Sequence, residues 1–125
     1  MPETRAELII RWADEIVLNS HPYGSLIKVA QLEYYADWNS VTESEQKIRD
    51  KMIEESSIAA DNSAEIATYL DTLRQNIEYH LLNNGYINEL DYVGKWILTE
   101  PGRLMKNLGG HIKYIEYEKK ALLLI

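Results

Sequence analysis

The sequence predicts a mostly α-helical chain with one small β-hairpin, an α+β fold. Three observations carry this expectation. Ile66, Leu70, Leu73, Ile77 and Leu81 form a long apolar stripe at helical spacing. Two short runs of β-forming residues, Tyr86-Ile87 and Trp96-Ile97-Leu98, flank a polar stretch, Asn88 to Lys95, that holds one glycine. Helix-ending residues, Asn83-Asn84-Gly85 and Gly109-Gly110, fall where these patterns change.

Along the chain, Thr4 to Asn19 reads as an amphipathic helix, with Leu8, Ile9, Trp12, Ile16 and Val17 on one face and Arg5, Glu7, Arg11, Asp14 and Glu15 opposite. Asn19 to Gly24 is a break containing both Pro and Gly. Leu26 to Trp38 is apolar and suits a buried helix, although the alternation at Ile27, Val29 and Gln31 also fits a strand. Thr42 and Glu45 have capping-box spacing ahead of a charged helix from Glu43 to about Ser57, whose apolar side is Ile48, Met52 and Ile53. Asn62 and Glu65 repeat that cap spacing before the long stripe, and Asp71-Thr72 marks a place where the stripe could divide into two helices. After the hairpin, Thr99 as N-cap and Pro101 in the first turn open a further helix carrying Leu104, Met105 and Leu108. The tail from His111 is expected to be helical, with Ile112, Ile115, Lys119 and Leu122 at helical spacing.

A chain of 125 residues is one domain's worth. The expected parts are a helical 1–62, a helix-hairpin-helix 63–108 and a helical tail 109–125. With no cysteine, disulfides, thiolate metal sites and cysteine nucleophiles are excluded, and a reducing, cytoplasmic setting is the expectation. No apolar run approaches the ~18 residues of a membrane span. The formal charge of −7 is uneven: residues 1–72 sum to −8 and residues 73–125 to +1. The front of the chain therefore repels a phosphate backbone.

Leu81-Leu82-Asn83-Asn84-Gly85-Tyr86-Ile87 followed by Trp96-Ile97-Leu98-Thr99-Glu100-Pro101-Gly102-Arg103-Leu104 resembles the second half of a winged-helix domain. Many bacterial regulators of that superfamily show a leucine-rich helix end, a Gly and a hydrophobic pair, then a hairpin, then aromatic-x-Leu-Thr-x-x-Gly-Arg. Gly109-Gly110-His111-Ile112-Lys113 is similar to the motif that opens the closing helix of a group of small bacterial winged-helix-like proteins, some of which continue into membrane spans. The resemblance implies a winged-helix-like fold and a small DNA-binding transcriptional regulator that inserts helix 72–84 into the major groove. Arg74, Gln75 and Asn76 would read bases, and Lys95, Arg103 and Lys106 would hold phosphates. It also implies a homodimer, with the first helix (Leu8, Trp12) and the tail (Leu122, Leu123) as the pairing elements. The −8 front, a hairpin tip from Glu89 to Lys95 with two acids and one base, and the apolar tail motivate an alternative: an acidic winged-helix-like protein–protein interaction or dimerisation module with no nucleic-acid role.

Other side chains point to less. His21, His80 and His111 are far apart in the chain, so no metal is expected. No phosphate loop, nucleophile elbow or paired-carboxylate arrangement is present, so neither an enzyme nor a cofactor is expected. Tyr34, Tyr35, Tyr114 and Tyr117 serve a core in a chain without Phe, or else line a pocket or dimer face. The Leu122-Leu123-Leu124-Ile125 terminus is too apolar to stay in water. It would tuck into the core, pair two subunits, or begin a longer hydrophobic segment, and burial is the expectation.

Overall fold

The computed structural model describes residues 2–19, 43–89 and 96–123. Thr42 of the expected capping box, the 26–38 segment, Lys95 and the rest of the hairpin tip, His21, Tyr34, Tyr35 and the last two residues lie outside them. The described elements are α1 (Arg5–Asn19), α2 (Glu43–Ser56), α3 (Ser63–Asn83), β1 (Ile87–Glu89), β2 (Trp96–Leu98), α4 (Glu100–Leu108) and α5 (His111–Leu123). The strands form one antiparallel pair in the register Ile87↔Leu98, Asn88↔Ile97 and Glu89↔Trp96. The chain is thus mostly helical with a small two-stranded sheet.

Local chemistry sets the helix ends. Thr4 and Glu7 form a reciprocal capping box at α1: the Thr4 hydroxyl accepts the Glu7 N–H at 3.1 Å, and Glu7 Oε1 accepts the Thr4 N–H at 3.2 Å. At α3 the Asn62 side chain accepts the Glu65 N–H (3.2 Å) and donates to the Glu65 carboxylate (2.6 Å). The α3 helix then runs unbroken for 21 residues, about 31 Å. The helix expected over 72–84 thus begins at Ser63, and the division left open at Asp71-Thr72 does not occur: Asp71 ties forward to Arg74 and Gln75 on the same helix, at 2.6 and 2.9 Å. Thr99 has extended backbone and accepts the Gly102 N–H at 3.1 Å, with Pro101 in the first turn of α4.

One core joins these parts. It holds Trp12, Ala13, Ile16 and Val17 from α1, Ile48 and Met52 from α2, and Leu70, Leu73, Ile77 and Leu81 from α3. Tyr86, Ile87, Leu98 and Met105 close it from the hairpin and α4. Helix α1 lies chiefly against α3, and α5 against α4. Leu8, Ile9, Ile53 and Ile66, which share the predicted apolar faces, are only partly buried at the margin. Across the surface, Arg11 links α1 to α2 by pairing with Glu55 at 2.5 Å and with Glu3 at 2.8 Å. All three side chains are exposed, so these pairs contribute little to stability.

The hairpin is seated by backbone contacts around Tyr86. Its N–H donates to Leu81 O (2.9 Å), and its carbonyl accepts the Thr99 N–H (2.9 Å). The Thr99 hydroxyl reaches back to Gly85 O at 2.5 Å. Gly102 lies so close that an added Cβ would stand 1.9 Å from Tyr86 O. The glycine in the Thr-x-x-Gly-Arg pattern is therefore a close-approach residue: it lets α4 rest on the hairpin's first residue.

Candidate functional site

The predicted base-reading face is internally neutralised. Arg74 donates to Asp71 at 2.6 Å and to both Glu78 oxygens at 3.2 Å, and Gln75 donates to Asp71 at 2.9 Å. The spacings i−3 and i+4 put both acids on the arginine's side of the helix. Helix α3 carries Glu65, Asp71 and Glu78 against one arginine, so it offers no positive field to a phosphate backbone. Asn76 instead lines a shallow groove of about 200 Å³ between α1 and α3, with Leu8, Ile9, Tyr69, Leu73 and Arg5. Ligand pockets commonly run ~300–1,000 Å³, so this groove is small for one. Arg103 is exposed and donates to Leu98 O at 3.1 Å, and Lys106 is half-buried in the last turn of α4.

The expected dimer residues separate. Trp12, at 1% exposure, lies in the core of the single chain, with α1 packed chiefly against α3. Leu8 is at the core margin beside the groove. Leu122 and Leu123 are 70% and 85% exposed, so the tail's described leucines are not tucked into the chain's own core.

Helix α5 is consequently the exceptional element. It has no buried residue, yet it carries Ile112, Tyr117, Leu122 and Leu123 in water. Tyr114, on its inner side, packs edge-on against Tyr86 with ring centroids 5.3 Å apart.

What holds α5 in place is a polar cluster contributed by four parts of the chain. Gly109 ends α4 in the left-handed conformation, and its N–H and that of Gly110 both reach Met105 O. Gly110, at φ +138°, lets the Asp14 carboxylate approach, since an added Cβ would stand 2.8 Å from Asp14 Oδ2. Asp14 Oδ1 accepts the His111 N–H at 3.0 Å, so a carboxylate on α1 caps α5 and complements its dipole. Tyr86 OH and His111 Nδ1 are 2.6 Å apart. The His80 ring crosses that of His111 edge-on at 4.9 Å.

Burial governs the electrostatics of this cluster. It pushes the Asp14 carboxyl and the Tyr86 phenol upward, and it lowers His80 to about 4, helped by His111. The Asn84 side-chain nitrogen lies 3.3 Å from His80 Nδ1, and an amide nitrogen only donates, so neutral His80 keeps its proton on Nε2. That Nε2 is buried with no hydrogen-bond partner among the described residues. Tyr86 is 0% exposed and His111 is half-buried, and their contact ties the start of α5 to the residue that opens the hairpin. Among the described residues no group of three or more His, Asp or Glu side chains could hold a metal ion. The sequence reading did not anticipate that His80 and His111 meet. The Gly-Gly-His junction was visible, but nothing local pairs it with Asp14, 97 residues earlier.

No helix of the described residues is long and apolar enough to cross a membrane. The chain matches no protein-family model, no curated protein and no solved structure.

Proposed function

We propose that this chain is a protein–protein interaction module of winged-helix-like arrangement, whose docking surface is α5 and not the helix before the hairpin. The observation that carries this reading is the exposure of Ile112, Leu122 and Leu123, 57%, 70% and 85%, on a helix with no buried residue. Large apolar side chains aligned on one element and left in water mark a surface that another molecule covers. The Asp14, Tyr86 and His111 contacts support it further, because they fix the helix before any partner arrives.

The DNA-binding regulator is the competing reading. The pairing of Arg74 with Asp71 and Glu78 and the −8 front weigh against it. A photo-cross-linking amino acid in place of Leu122 should trap a protein in the cells that make the chain, while the same probe at exposed Glu54 should not. Absence of any adduct specific to position 122 would sink the proposal. Fluorescence anisotropy with mixed-sequence duplex at low salt should show no saturable binding. Saturable, salt-sensitive binding lost in Arg74→Ala would install the DNA reading instead.

A further inference from the structure

The exposed side of α5 has a pattern that fits itself. Ile112, Glu116, Lys119 and Leu123 are spaced i, i+4, i+7 and i+11, which sets them in one narrow seam along the helix, apolar at its ends and charged at its centre. Three of them, Glu116, Lys119 and Leu123, are plainly exposed, and Ile112 is 57% so. Tyr114, which faces the core, lies on the other side of the helix. Ile115 and Leu122 flank the line and widen its apolar part.

The order along the line is apolar, acid, base, apolar. Reversed, it reads apolar, base, acid, apolar. Two copies laid antiparallel therefore bring Ile112 against Leu123 and Glu116 against Lys119, and by the two-fold each contact occurs twice. A parallel pair would set Glu116 beside Glu116 and Lys119 beside Lys119, which like-charge repulsion disfavours. We infer that the partner of this surface is a second copy of the chain, docked antiparallel through α5. This rests on the reading of α5 as a docking surface and names its occupant. Seam length sets the strength. Thirteen helical residues span about 20 Å, short of what a standard interface covers, so the dimer is expected to be micromolar and reversible.

Charge exchange tests the pairing on the full chain, by sedimentation equilibrium with circular dichroism as the check on folding. Wild type should dimerise with a micromolar Kd. Glu116→Lys and Lys119→Glu should each weaken it at least tenfold, because each sets like charges opposite one another at both seam positions. The double exchange, Glu116→Lys with Lys119→Glu, restores complementarity only in the antiparallel register and should return Kd to within about threefold of wild type. A chain that stays monomeric at 200 µM overturns the inference (~200 µM is far above a micromolar Kd), as does a double exchange no tighter than the single ones. If the Leu122 probe still traps a different protein in that case, the interaction-module reading stands and only the second copy is lost. If it traps nothing, both fall.

Discussion

Replacing Gly102 by alanine separates close approach from helix propensity by sign. Gly102 lies in the first turn of α4 with no unusual φ, so on propensity alone an alanine would add up to ~1 kcal/mol of stability. The structure predicts the reverse. The new Cβ would meet Tyr86 O at 1.9 Å and Tyr86 C at 2.9 Å, both backbone atoms, with Leu98 Cδ2 at 3.2 Å. No rotamer change relieves a backbone clash, so α4 must retreat by an ångström or so. Overpacking of this kind costs about 1–3 kcal/mol. The retreat also stretches the Thr99 N–H bond to Tyr86 O, now 2.9 Å, and exposing or orphaning a buried acceptor costs roughly another 1–3 kcal/mol. Net of propensity, Gly102→Ala should destabilise by about 1–5 kcal/mol. With an unfolding entropy of ~2.1 cal/mol/K per residue, a chain of 125 residues loses about 4 °C of Tm per kcal/mol, so the expected drop is roughly 4–20 °C. Differential scanning calorimetry on the variant, with Asn107→Ala on the exposed side of α4 as control, gives the answer. A Tm equal to or above wild type would show that α4 does not rest on the Tyr86 carbonyl and would refute the hairpin seating described above.

Two more outcomes follow from the α5 anchor. His80 is held near 4 in the folded chain against 6.5 unfolded, so between those values the unfolded chain binds a proton that the folded one does not. Its contribution is whole above pH 6.5 and is lost as pH falls toward 4, by roughly 1–2 kcal/mol after allowing for partial solvent access. Asp14 acts oppositely: its raised carboxyl takes up a proton in the folded chain before the unfolded one does, offsetting part of the loss at the acid end. Urea midpoints from pH 7.5 to 4.5 should therefore fall less steeply in His80→Gln than in wild type, and equal slopes would reject the assignment. At the cap itself, Asp14→Ala should cost about 1–2 kcal/mol and raise hydrogen exchange at the first turn of α5, because the His111 N–H loses its acceptor. Asp14→Asn keeps an acceptor and should stay within ~0.5 kcal/mol of wild type; an alanine variant with unchanged exchange at α5 would remove Asp14 from the anchor.

Much of the local structure was legible because its causes lie within a few residues of one another. The Asn62–Glu65 cap, Thr99 with Pro101, the Gly109 stop and the stripe from Leu70 to Leu81 are short-range patterns, and the structure holds each of them. Two legible signals were passed over. Thr4-x-x-Glu7 has the same cap spacing as Asn62-x-x-Glu65, and Asp71, Arg74 and Glu78 stand at the i+3 and i+4 intervals of ion pairs. Reading the second would have shown the presumed base-reading arginine already engaged. The resemblance singled out Gly102 without a reason, and the reason is tertiary, since only the approach of α4 to Tyr86 makes a Cβ intolerable.

By itself, the sequence determined most of the described helices and the caps and glycines that end them, that a two-stranded hairpin interrupts them, and that acidity gathers in the first 72 residues. These follow from periodicity, capping chemistry and charge, which act over a turn or two of chain. Only the tertiary structure decided that Trp12 is core and that Asp14, His80, Tyr86 and His111 meet beneath α5. It also decided that α5, docked by its inner side, leaves Ile112, Leu122 and Leu123 in water. The physical reason is that an amphipathic pattern states that a face wants cover but not which surface supplies it. That choice is made by how the other elements fill the core first, between residues as far apart in sequence as 14 and 111.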